Sequence, residues 1–171
     1  MANTYTAIAT VTVGSGGAGT IDFNSIPQTY TDLIVKFSTR SNRSGAATSP
    51  LRLYPNGSST NITLRYLQGA GSAVSSGTEA VFNAFIGETV ASTATASTFG
   101  NFEIYIPNYT SSNYKSISVD AVEENNQTIA LSQITAFLWS NTAAITSLQI
   151  VDGLGSFVQY SSATLYGIKN S

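Results

Sequence analysis

At 171 residues, 42% of them hydrophobic and only 9% charged, the chain suits one domain with a sizeable core and is no disordered polyelectrolyte. A net charge of −2 without a basic run gives counterion-release binding to nucleic acid little to work with, so no nucleic-acid partner is expected. The absence of cysteine and histidine excludes disulfides, thiolate zinc sites and the usual nucleophile–base arrangements.

The opening MANTYTAIATVTV lacks both a basic n-region and a long apolar h-region, and so does not read as a signal peptide. No apolar run approaches the ~18 residues of a membrane-spanning helix, so no membrane partner is expected. Short runs rich in Val, Ile, Thr, Tyr and Phe, punctuated by Gly, Pro, Asn and Ser, predict strands from the first run onward. They cover Tyr5–Val13, Gly19–Phe23, Asp32–Arg40, Leu51–Tyr54, Ile62–Leu67, Ala80–Ile86, Phe99–Ile106, Lys115–Val122, Thr128–Trp139, Ile145–Val151 and Ser156–Ile168. Several alternate cleanly: Phe102, Ile104 and Ile106 share one face while Glu103 and Tyr105 share the other. Gly14–Gly19 reads as a tight flexible connection, Gly69–Gly77 and Ala91–Gly100 as surface loops, and Val122–Thr128 as a hairpin turn. The chain stops soon after Leu165, Tyr166 and Ile168, so its last strand is expected to dock inside the sheet instead of trailing as a loose tail. One domain over residues 1–171 follows: all-β, a two-sheet β-sandwich of jelly-roll type with almost no helix.

Candidate chemistry is sparse. Lys36, Lys115 and Lys169 stand in no motif that would make a Ser–Lys dyad. Asp120, Glu123 and Glu124 cluster, and a glycosidase needs only two carboxyls roughly 5–10 Å apart, but acids flanking a turn are ordinarily solvated. The glycine stretch Gly14–Gly19 has no lysine and no following helix, so it is no phosphate cradle. No calcium-loop pattern appears. No catalytic residue, cofactor or metal ligand is therefore assigned. Two surface features remain. Tyr105, Tyr109 and Tyr114 fall close together in YIPNYTSSNY, where such rings suit sugar stacking or a protein interface unless they fold back onto the core. Arg40 and Arg43, just past a strand, could anchor an acidic neighbour or lie in a solvated loop.

The stretches IDFNSIPQTYTDLIVKFSTRS (Ile21–Ser41), FEIYIPNY (Phe102–Tyr109) and ITSLQIVDGLGSFVQYSSATLYGI (Ile145–Ile168) resemble small β-rich virion proteins of tailed bacteriophages, cyanophages among them. The shared motifs are structural, not catalytic. The resemblance implies a non-enzymatic virion component made in the host cytoplasm. Foremost is a capsid decoration (cement) protein on the outer capsid surface, with the major capsid protein as partner. A tail-fibre or receptor-binding domain recognising a host glycan is the alternative, and a glycan-active enzyme using paired carboxylates is a third reading. Few charges are available to guard the sheet edges, so a closed homo-oligomer, a trimer, is expected.

Overall fold

A computed structural model describes residues 5–78, 83–127 and 130–169. Among them it contains no helix and twelve strands: β1 (Tyr5–Thr12), β2 (Thr20–Phe23), β3 (Asp32–Thr39), β4 (Thr48–Pro55), β5 (Ile62–Ala70), β6 (Ala73–Gly77), β7 (Phe85–Val90), β8 (Gly100–Ile106), β9 (Lys115–Glu123), β10 (Leu131–Trp139), β11 (Leu148–Asp152) and β12 (Ser162–Ile168).

These strands form two wholly antiparallel sheets, of order β1-β12-β3-β8-β9-β10-β5-β6 and β2-β11-β4-β7. The all-β sandwich expected from the sequence is therefore present. The order also divides naturally. Eight strands make two facing four-stranded groups, β1-β12-β3-β8 and β2-β11-β4-β7, while β5, β6, β9 and β10 continue the first group sideways as an extension.

Alternation explains most elements. In β9 (KSISVDAVE) and β10 (LSQITAFLW) buried and outward positions take turns along nearly the whole length, as a half-buried strand requires. The first half of β3 (DLIVKFST) is buried on both faces, because its outward Ile34 is flanked across the sheet by Tyr166 of β12 and Tyr105 of β8. The core between the sheets joins Phe37 and Phe102, stacked at 4.6 Å, to Leu51, Leu53, Ile104, Phe137, Trp139, Ile150 and Leu165. At Gly87 (φ 134°) β7 comes so close to the large sheet that a Cβ would lie 2.8 Å from that of Ala121. Only glycine tolerates both the angle and the approach.

The last strand is indeed inside the sheet: β12 pairs with β1 on one side and β3 on the other, and Ala163, Leu165 and Ile168 are buried. Tyr166 is half-buried on the outer face, edge-on to Tyr5 at 6.3 Å. Three expectations need correction. Gly69–Gly77 is not simply a loop, since Tyr66–Ala70 pairs with Ala73–Gly77 as a hairpin. The strand expected at Ala80–Ile86 runs at Phe85–Val90 instead, and residues 80–82 lie outside the described residues. The last strand starts at Ser162, not Ser156, because Phe157 forms isolated bridges to Ala18 and Ser41. The expected start of β10 at Thr128 also lies outside the described residues.

Candidate functional site

Outward positions of the extension gather four aliphatic side chains. Leu67 is directly opposite Ile134, Val122 opposite Ser132, and Ser132 opposite Gly69, which faces Val74. This register puts Leu67, Val74, Val122 and Ile134 on one face of four adjacent strands, between 39% and 77% exposed. Beside them Glu103 of β8 pairs across the sheet with Asp120 of β9. Lys36 Nζ lies 2.9 Å from a Glu103 oxygen, and this contact raises the lysine pKa. Two depressions, of about 390 and 260 Å³, border the carboxylate pair. The face is thus a mixed one, aliphatic toward β6 and ionic toward β3. Alternation predicts that Glu103 and Asp120 each point outward, but only the register makes them neighbours.

The tyrosines and arginines singled out from sequence are not brought together. Tyr105 is half-buried; its hydroxyl donates to Asp32 Oδ2 at 2.9 Å, a bond that raises the phenol pKa. Tyr109 is a correction: it is fully buried in the core and its hydroxyl donates to the Pro27 carbonyl, so it offers no surface. Tyr114 alone of the three is exposed. Arg40 is a second correction, because its guanidinium is turned inward onto its own chain. Nη1 donates to the carbonyls of Thr95 (2.8 Å) and Thr98 (2.9 Å), and Nη2 to those of Ala91 (3.0 Å) and Ala94 (3.1 Å). It organises the loop ahead of β8. Arg43 Nη1 likewise donates to the Thr48 carbonyl at 2.9 Å.

Two ionisable groups that the sequence reading left unassigned lie at the ends of β9. Lys115 is buried, and its ammonium donates to the carbonyls of Ser111 and Asn113 (both 2.7 Å), Ala143 (2.9 Å) and Asn141 (3.5 Å), 6.0 Å from the Trp139 ring centroid. Burial lowers its pKa. Glu123 is only 3% exposed, and neither carboxylate oxygen has a hydrogen-bond partner among the described residues. Burial, reinforced by the charges of Glu88 and Glu124, pushes its pKa up to about 8. It borders a groove of about 500 Å³ lined also by Gly69, Gly71, Glu124, Gln127 and Ala130. The signal for both was available: Lys115 and Glu123 occupy the inward phase of KSISVDAVE.

The carboxyl cluster read from sequence is split by the same phase. Asp120 points outward and Glu123 inward, so those two cannot face one substrate across a single site. Among the described residues no three acidic side chains are placed to hold a metal ion. No protein-family model and no curated protein sequence matches the chain.

Proposed function

We propose that this chain is a non-enzymatic virion structural protein, a capsid decoration protein that binds the outer capsid surface and stabilises the shell. The observation that carries the reading is the nesting β1-β12-β3-β8 over β2-β11-β4-β7. We take this as the double Greek-key order of a jelly roll, an architecture that recurs in viral capsid and lectin domains. The phage-like stretches Ile21–Ser41, Phe102–Tyr109 and Ile145–Ile168 supply its core strands β2, β3, β8, β11 and β12. The extension added to that order supports a binding role, because its outer face carries Leu67, Val74, Val122 and Ile134 in one exposed aliphatic group rimmed by charge. The major capsid protein is the partner assigned to this face.

The mechanism is mass action. A subunit that binds only the assembled lattice stabilises it by RT ln(1 + [L]/Kd), so shell stability rises with the concentration of decoration protein. β6, an edge of the large sheet, has the sequence AVSSG and no charge to guard it, which supports a homo-oligomer that covers it. A trimer fits three-fold lattice positions.

Electron cryomicroscopy of the particle tests the proposal. Hundreds of copies on the outer shell are expected, and capsid binding should fall when Leu67 and Ile134 are both replaced by glutamate. A handful of copies at a fibre tip with glycan binding would overturn it in favour of a receptor-binding domain. Glycan turnover abolished by Glu103→Gln or Asp120→Asn would overturn it in favour of an enzyme.

A further inference from the structure

We propose that the Glu123 carboxyl is a proton-operated latch on the β9–β10 end of the extension: uncharged, it stays packed between the sheets, and on losing its proton it drives that end open toward the adjoining groove.

Geometry carries this inference. A carboxylate withdrawn from water is normally matched by a cation or by several N–H donors, and without them ionisation is strongly disfavoured. Glu123 is almost wholly buried and, among the described residues, both its oxygens lack a donor. Gln133 occupies the diagonal inward position on β10, since Leu131 is opposite Glu123 and Gln133 opposite Ala121. That diagonal is within reach of long side chains. The Gln133 amide nitrogen donates to Thr135 Oγ1 at 2.7 Å, and its carbonyl oxygen is a third buried acceptor without a donor. A proton on Glu123 turns one of these orphan acceptors into a donor; removing it leaves three acceptors and a charge.

Charges on the surrounding elements do not relieve the carboxylate. β7 contributes Glu88 and the turn after β9 contributes Glu124, both acidic. β10 and β6 have no charged residue. Glu103 of β8 and Asp120 of β9 stand on the outward face, as does Arg65 of β5, opposite Ala136. Escape is close at hand, because the groove between the turns that follow β5 and β9 is lined by Glu123 itself.

The sign of the pH effect follows. The folded carboxyl holds its proton up to about pH 8, whereas the unfolded one loses it near 4.5. Between those values the native state binds more protons, so stability falls as pH rises and levels off above about 8. The limiting slope is about tenfold in the folding equilibrium constant per pH unit.

Denaturant unfolding of the full chain at a series of pH values from about 5.5 to 9 tests the latch without reference to capsid binding, so its failure and that of the proposed function are separate. In the wild type the folding constant should fall by up to tenfold per pH unit and then plateau. Glu123→Gln should flatten the profile while matching wild type at the acid end. Glu88→Gln, which leaves the latch in place, should move the plateau to lower pH, and it serves if the first variant does not fold. A flat wild-type profile, or an unchanged slope in Glu123→Gln, overturns the proposal. Loss of the wild-type slope on adding calcium chloride also overturns it, since the groove would then take a cation in place of a proton.

Discussion

β9 begins with a buried lysine and ends, eight residues later on the same inward face, with a buried glutamate, yet the two ends are built differently. Around Lys115 the turns before β9 and after β10 bend until four carbonyls point at the ammonium. Around Glu123 no donor arrives from the described residues. The contrast teaches that burial does not by itself decide the charge state of a side chain. Backbone that supplies partners gives the Lys115 ammonium acceptors that oppose the lowering of its pKa by burial, and an end without donors leaves Glu123 an acid that holds its proton. The same division runs through the whole sheet. β12 and β3, inside the nested eight strands, are paired on both sides, while the extension ends at an unguarded edge and bears the exposed aliphatic face.

The comparison breaks most completely if its frame is removed. Deleting Ser162–Ser171 takes out a strand paired on both sides, with buried Ala163, Leu165 and Ile168. Large side chains contribute roughly 1.5–3 kcal/mol each in burial alone, against a total stability of about 5–15 kcal/mol. The product should be insoluble or show no cooperative melting transition by circular dichroism. Lys115→Met is the next largest. It removes the donor shared by four carbonyls, at about 1–3 kcal/mol in all, and should lower the urea midpoint at every pH, whereas Glu123→Gln should raise it at pH 8.

Legibility from sequence followed the same lines. The strands of β8, β9 and β10 were readable because period-two alternation reports directly which side chains enter the core. The last strand was readable from its apolar Leu165, Tyr166 and Ile168, and Leu165 and Ile168 are indeed buried. β6 was not readable, because AVSSG has the composition of a loop and becomes a strand only by pairing with β5. Glu103 beside Asp120 depends on the register of β8 against β9, which alternation alone does not specify. The cages around Lys115 and Arg40 are made of main-chain carbonyls, which every residue type carries, so no motif announces them. Tyr109 looked like its exposed neighbour Tyr114, and only the path of the loop sends its ring inward.

Arg40→Ala sharpens the comparison at a smaller scale. The arginine holds four carbonyls between Ala91 and Thr98 from the rim. Its loss should cost about 1–3 kcal/mol and open that loop to limited proteolysis, while the Lys115 and Glu123 ends keep their behaviour. Tyr114→Ala should change stability by no more than about 0.5 kcal/mol, as an exposed substitution away from special features does. A larger loss by thermal melting would mean that the Lys115 cage extends to this ring.

Carbon-13 nuclear magnetic resonance titration of the Glu123 side-chain carboxyl, with the Lys115 side chain followed in the same sample, tests the difference between the two ends most directly. The account predicts that the Glu123 carboxyl titrates near pH 8, with the Lys115 side chain held in its carbonyl cage through that step. A Glu123 carboxyl that ionises in the ordinary carboxylate range, near pH 4.5, with its strand end still packed, would contradict it.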